Sequence, residues 1–480
     1  MASTTLTVLT DDDVQKLLHS LSREDVIALQ LALAEALHTY STGTNDQGAC
    51  AANQPLRTSI TKRNATTLFM PASTGDMTGM KMVTLTESNK SSASRSASET
   101  SSLNQGAGTN SSKTSLATTG ASSNSNLSIR SASSNKDRAS SPARSKTPTT
   151  PTSPSTASAP ASAAALPAQG TTPRGLLTLL TQTGAPLGLM AAEELTAFRT
   201  ALAATMLLKR REHVSTITVF GAGKQAYWHI RLALILRGED IHRVNIINRS
   251  FARTEPLLRS FYGPSKAGEW RPPSTTKLSV LSQEYGEYDR LLKDNVRKAD
   301  IIFCCTPSTS PLFPAEILTS HEGRRKGRYL SAIGSYKPHM CEIHPDILRQ
   351  AVATPHHGHH YHKHAPTSGV VIVDSLTACL KEAGELIQAG ITPAQVVEIG
   401  ELVMLRRQEL KERADGSVTG QGPVEGVSEK AKSKGGLEEW LMKGNVIYKS
   451  VGMGLMDLVV GGELVRLAAE KNVGTRINGF

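Results

Sequence analysis

Thr216-Ile-Thr-Val-Phe-Gly221-Ala-Gly223-Lys-Gln-Ala226 is the stretch from which the rest of this chain can be read. A short apolar strand runs into a glycine turn, and the turn runs into Gln225–Arg237, which has the apolar spacing of a helix. Gly221 permits a tight turn. Gly223 leaves room for a pyrophosphate to approach backbone N–H groups, and Ala226 is small enough for close helix–strand packing. The helix N-terminus adds partial positive charge toward those phosphates. A glycine trio alone is weak evidence, since a turn of this kind also occurs in α/β proteins that bind nothing. Here a strand precedes it, a helix follows, and a second apolar strand comes near residue 246. Gly221, Gly223, Lys224 and Gln225 are therefore candidate cofactor contacts.

Downstream, the strands Val244–Asn248, Lys277–Leu281, Ile301–Cys305, Tyr329–Ile333 and Val370–Asp374 alternate with helical segments such as Ala252–Phe261. That alternation predicts an α/β fold with a Rossmann-type doubly wound parallel sheet. An Asp or Glu at the end of the second strand would hold the ribose 2′-hydroxyl of NAD(H). The chain has Asn248-Arg249-Ser250 there instead. An arginine can pair with a 2′-phosphate and a serine can donate to it, so NADP(H) is expected over NAD(H). The bland alternative is an arginine pointing into solvent.

Both flanks read differently from this middle. Asp11–Thr39 has helical spacing with Asp13 as its cap, and Ser59–Thr61, Thr67–Met70 and Met80–Leu85 read as strands. Gly175–Leu180 and Pro186–Met190 form a hairpin about Thr183-Gly184, followed by a helix over Ala191–Arg210. Beyond Asp374 the helix Leu376–Ala389, the segment Pro393–Gly400, the strand Val446–Ser450 and the helix Leu455–Glu470 are expected to leave the parallel sheet. The predicted organisation is thus a dinucleotide-binding domain over 201–375 and a second α+β domain built from both chain ends. The latter takes residues 1–87 with 171–200, and 376–480.

Residues 88–170 hold 25 Ser, 10 Thr and no aromatic residue, and such a composition cannot bury enough surface to offset chain entropy. They are expected to be a disordered insert, and they dilute the apolar share of the 480 residues to 39%. They also carry 8 Lys/Arg against 2 Asp/Glu, which is +6 of the net charge of +11. With most of the positive charge in a segment that offers nothing to stack on bases, nucleic-acid binding is not expected. No apolar run is long enough to span a membrane. The acidic N-terminus, with Asp11, Asp12 and Asp13, does not read as a targeting segment, and five cysteines without metal spacing suit a reducing compartment, the cytoplasm. Six histidines between His356 and His364 read as a flexible insertion rather than a metal site, and His229 reads as structural.

Phe198-Arg199-Thr200, Gly221-Ala-Gly-Lys-Gln-Ala-Tyr-Trp-His229, Val373-Asp374-Ser375, Glu382-Ala-Gly384-Glu385 and Lys449-Ser-Val-Gly452 stand in order, with Arg57 and Lys81 in N-terminal strands. Together these motifs resemble the ornithine cyclodeaminase/mu-crystallin family. The resemblance covers roughly 50–86 and 171–470. It implies a two-lobed homodimer acting on a small α-imino or α-amino acid. Arg57 and Arg199 would orient the substrate carboxylate, and Lys81 or a bound water would supply a proton. Val451 would line the junction of substrate and nicotinamide together with Ser450. Thr306 and Gly334 would stand on the cofactor side. Arg57, Lys81 and Arg199 are thus the catalytic candidates, and no metal is expected.

One position departs from the family pattern. Ornithine-cyclising members carry an Asp where this chain has Tyr336. Its absence favours a ketimine-reductase-like oxidoreductase over a cyclodeaminase-type lyase with internally recycled NAD. A non-enzymatic, mu-crystallin-like ligand-binding protein would use the same three cations. If Lys81 and Arg199 share one pocket, the insert between them must loop out and leave its flanking strands adjacent.

Overall fold

The computed structural model describes residues 5–43, 54–62, 65–86, 173–263, 269–353, 371–403 and 436–480. All of them belong to one compact unit of Met1–Glu87 and Gly170–Phe480. The Ser/Thr-rich insert and the His356–His364 tract lie outside the described residues.

The N-terminal part builds a sheet from β1 (Thr5–Leu9), β2 (Thr58–Lys62), β3 (Ala65–Ser73), β4 (Met77–Thr86), β5 (Arg174–Thr181) and β6 (Pro186–Ala191). β2 to β6 form an antiparallel meander, and β1 joins β6 in parallel. β4 and β5 are direct neighbours, with Thr84 opposite Arg174 and Lys81 opposite Leu177, so the strands on either side of the insert are adjacent as expected. The opening helix, Asp11–His19, is capped one turn earlier than its sequence suggests. Thr10 is the N-cap, and Asp13 closes a capping box by accepting from the Thr10 N–H at 3.0 Å.

The middle of the chain forms the second sheet. Its strands are β7 (Thr216–Phe220), β8 (Arg243–Asn248), β9 (Lys277–Ser282), β10 (Ile301–Cys304), β11 (Tyr329–Ala332), β12 (Val371–Val373), β13 (Val396–Glu398) and β14 (Val446–Lys449). They run in the order β13-β12-β14-β11-β10-β7-β8-β9, and every pairing is parallel. Side chains alternate between two cores. Ile301 and Phe303 face one apolar cluster with the motif helix Lys224–Arg237, while Ile302 and Cys304 face another with the helix Tyr288–Lys298. Both faces are covered, as a doubly wound sheet requires.

One expectation needs correction. The chain does not leave the parallel sheet at residue 376: β13 and β14 both extend it, and β14 lies in its interior between β11 and β12. All four residues of Val446-Ile-Tyr-Lys449 are buried, and a strand buried on both faces is satisfied only between two covering layers. The chain returns to the first layer with the helix Gly454–Lys471. It then adds β15 (Thr475–Asn478), which pairs antiparallel with β1. Neither β1 nor β15 was expected, because each is a short Thr-bearing segment with little apolar periodicity.

The helix Glu193–Thr205 joins the layers. Ala197 through Thr205 are all buried, and Phe198 meets the motif-helix Trp228 edge-to-face at 5.0 Å between centroids. Trp228 Nε1–H donates to the Glu194 carboxylate at 2.6 Å, so this aromatic contact carries its own polar partner. Phe198→Ala opens a cavity in this joint. It is expected to lower stability by about 3–5 kcal/mol, measured as a lower urea midpoint with an unchanged slope.

Candidate active site

A cavity of about 280 Å³ lies where the C-terminal ends of the parallel strands face β3, β4 and the helix Glu193–Thr205. Strand period places its walls. Lys81, Val83 and Leu85 share one face of β4, and Leu68 and Met70 stand beside them on β3, opposite Val83 and Lys81 in register. Arg199 comes from the helix, Arg57 from the segment before β2, and Ser450, Val451 and Gly452 from the loop after β14. The three basic residues named from sequence therefore converge on one cavity.

Their partners were not foreseen. Lys81 is fully buried, and its Nζ donates to Asp457 Oδ1 at 2.9 Å. Arg199 Nε donates to the same oxygen at 3.2 Å, and Asp457 itself is wholly buried. Burial lowers the Lys81 pKa to about 8 against the opposing pull of Asp457, and Arg199 and Arg57 lower it further. Arg57 donates through Nε to Glu382 Oε1 at 3.0 Å and through Nη2 to the other carboxylate oxygen. Its Nη1 reaches the Val451 carbonyl at 3.4 Å.

The glycine motif borders the same cavity through Gly223, Lys224 and Gln225. Gly221 has φ +108°, and a Cβ there would stand 2.9 Å from the Cys305 carbonyl oxygen, so the turn closes against the end of β10. This is where strand order reverses between β7 and β10, the switch point at which such sheets take ligands. Gly223 is the helix N-cap without a side-chain cap, and nothing described stands within 4 Å of where its Cβ would be. The first helical bond is Tyr227 N–H to the Gly223 carbonyl at 3.0 Å, so the N–H groups before it are free of intrahelical partners. An open cradle with free donors fits the pyrophosphate of a dinucleotide.

The remaining candidates are placed as follows. Glu342 spans the β10 and β11 loops: it accepts from Thr306 N–H at 2.7 Å and from Gly334 N–H at 2.6 Å. Burial pushes its pKa up to about 7, opposed by Lys449 and aided by Glu385. Asp374 accepts from Ser450 Oγ at 2.6 Å and Gly452 N–H at 2.7 Å, fixing the loop that carries Val451. Lys224 borders the cavity, but its ammonium is held by Glu194 at 2.7 Å and Glu193 at 2.8 Å, leaving its backbone for a cofactor. Asn248 ends β8, Arg249 and Ser250 follow it, and none of the three lines this cavity. Arg249 is exposed, and Asn248 Nδ2 donates to the Ser250 carbonyl at 2.9 Å. Tyr336 is in the wall. His229 is buried with Nδ1 against the Gln225 carbonyl at 2.8 Å, and burial lowers its pKa to about 4. That is a structural role.

Sequence reasoning missed Asp457 and Glu342, and it quoted Glu382 within a motif without giving it a role. Asp457 did leave a signal: it is the lone acid in the apolar run Gly454–Val460, where a charge needs a buried partner.

The sequence pattern of the Ornithine cyclodeaminase/mu-crystallin family matches residues 165–263. Over that stretch the chain is similar to this family. It is 30% identical over 253 residues to the uncharacterised protein YGL159W of Saccharomyces cerevisiae, covering 48% of this chain and 63% of that one. It is 26% identical over 306 residues to a Delta(1)-pyrroline-2-carboxylate reductase of Bacillus cereus, covering 62% and 71%. The match thus spans less than two thirds of the yeast relative. Among solved structures, Thermococcus litoralis Delta(1)-pyrroline-2-carboxylate reductase in complex with NADH and L-proline aligns over 98% of this chain and 100% of its own. The TM-score is 0.56 at 16% identity, which speaks for a shared two-domain dehydrogenase fold. No helix among the described residues is long and apolar enough to cross a membrane.

The cluster behind the cavity gives a direct test. Lys449 Nζ donates to the Ser335 carbonyl at 2.6 Å and lies 3.5 Å from Glu385, all fully buried. Lys449→Met strands the Glu385 charge. It is expected to cost about 3–5 kcal/mol, visible as a lowered denaturation midpoint.

Proposed function

We propose that this protein is an NADPH-dependent imine reductase that acts on a small cyclic imino acid such as pyrroline-2-carboxylate or piperideine-2-carboxylate. The observation that carries the reading is the convergence of Arg57, Arg199 and a buried Lys81 on a small cavity bordered by the Gly221–Gln225 turn. A bound dinucleotide would supply hydride to the imine carbon. It would be held by the Gly221–Gln225 backbone, Thr306, Gly334 and Ser450, and Arg249 and Ser250 would pair with a 2′-phosphate.

The chain's own residues do the rest. The guanidinium groups of Arg57 and Arg199 would orient the substrate carboxylate, Arg57 by exchanging the Glu382 carboxylate for that of the substrate. Leu68, Met70, Val83 and Leu85 give the ring an apolar wall and exclude water. Lys81, as the ammonium, donates a proton to the imine nitrogen and so makes the adjacent carbon a better hydride acceptor. Holding these partners aligned and desolvated accounts for much of the expected acceleration. Tyr336 stands where a cyclising enzyme needs a carboxylate for the distal amine, which favours reduction over cyclodeamination. The family resemblance supports a homodimer. The free thiols of Cys304, Cys305, Cys341 and Cys379 fit a reducing, cytoplasmic setting.

The test is NADPH oxidation with the two imino acids. Lys81→Ala is expected to lower kcat by roughly 10²–10⁴-fold; full activity in that variant overturns the mechanism. The wild-type rate is expected to fall as pH rises through about 8, because the Lys81 ammonium then loses its proton. Arg249→Ala is expected to raise KM for NADPH and leave KM for NADH unchanged. Equal use of both cofactors by the wild type argues against the 2′-phosphate assignment.

A further inference from the structure

Asp457 sits behind the cavity and is not one of its lining residues. It occupies the first turn of the helix Gly454–Lys471, five residues after Gly452, and is fully buried. Both cations bind one of its oxygens: Lys81 Nζ at 2.9 Å and Arg199 Nε at 3.2 Å from Oδ1. Its other oxygen, Oδ2, is buried with no hydrogen-bond partner. A carboxylate that only neutralised charge would gain more by giving each cation its own oxygen. Convergence on Oδ1 instead holds the amine and the guanidinium side by side. An ammonium has three donors, and one is spent on Asp457. Arg199 is also packed from behind, since a Cβ at Gly452 would stand 2.8 Å from its Nη2.

Resting on the imine-reductase reading, we propose that Asp457 is the positioning residue of the proton donor. It fixes Lys81 beside Arg199 as one preorganised pair and keeps the amine protonated at neutral pH. The charged groups acting on Lys81 are Asp457 from the last helix, Arg199 from Glu193–Thr205 and Arg57 from the segment before β2, which is itself paired with Glu382. Across β5 and β3 its register neighbours are the apolar Leu177 and Met70. Asp457 is thus the one anion in that set that touches it. Without it two buried cations face each other, and the lysine, not the arginine, gives up its proton.

The experiment compares kcat against pH for the full-length wild type, Asp457→Asn and Asp457→Glu. In Asp457→Asn the basic limb is expected to move down by about 1–3 pH units, with activity partly restored at pH 6. An unmoved limb with a uniform loss at every pH overturns the proposal. Asp457→Glu keeps the charge but displaces the oxygen; it is expected to keep the limb near that of the wild type while losing about 10-fold or more in kcat. Wild-type kcat in the Glu variant overturns the positioning role, even if the Asn variant does not fold. A wild type that reduces no imine defeats the functional reading. The proposal is then read from calorimetric binding of pyrrole-2-carboxylate against pH. Affinity should break at lower pH in Asp457→Asn than in the wild type, and a common break point, or no binding by the wild type, overturns it.

Discussion

The buried contact of Lys81 and Arg199 with Asp457 ties the molecule together. Its members come from a strand of the first sheet, a helix between the sheets and the last helix of the chain. Taking ions out of water costs several kcal/mol each, and that cost is offset only when the opposite charges meet in good geometry. Apolar packing tolerates small shifts, whereas this contact fixes how β4, Glu193–Thr205 and Gly454–Lys471 sit together. The cavity wall is a consequence, because β4 and Glu193–Thr205 supply much of its substrate side and Gly454–Lys471 backs them through Asp457.

The cofactor side rests on a parallel principle. Loops at the ends of parallel strands leave backbone N–H groups without ladder partners, and buried donors of that kind need acceptors. Glu342 takes Thr306 N–H and Gly334 N–H, and Asp374 takes the N–H of Gly452 along with the Ser450 hydroxyl. Two carboxylates thereby hold the ends of β10, β11 and β14 at a common height beside the glycine turn. Lys449 and Glu385 back them from β14 and the helix Gly384–Ala389. The loops that border the ligand space are therefore braced by buried polar groups rather than by apolar packing.

Much of this was legible in the chain because it is local. The strand, glycine turn and helix over Thr216–Arg237 follow from apolar period and from a position that requires positive φ at Gly221. The alternation after it announced the parallel sheet, and Arg57, Lys81 and Arg199 stood in recognisable motifs. Legibility failed where a strand's company matters more than its composition. Val446–Lys449 reads as a strand from its residues, but its place between β11 and β12 depends on both faces being covered. β1 and β15 failed for a related reason: their paired residues lie 467 to 473 positions apart, and neither has a pattern of its own.

Sequence thus carried the doubly wound half and the identity of the three cations, since backbone conformation and side-chain period are set within a few neighbours. It did not carry which acid each cation meets. Lys81 and Asp457 are 376 positions apart, and Arg199 and Asp457 are 258 apart. Lys224, a candidate cofactor contact, turned its ammonium to Glu193 and Glu194. Charge pairing depends on distance through space and on desolvation, and both exist only once the elements have packed.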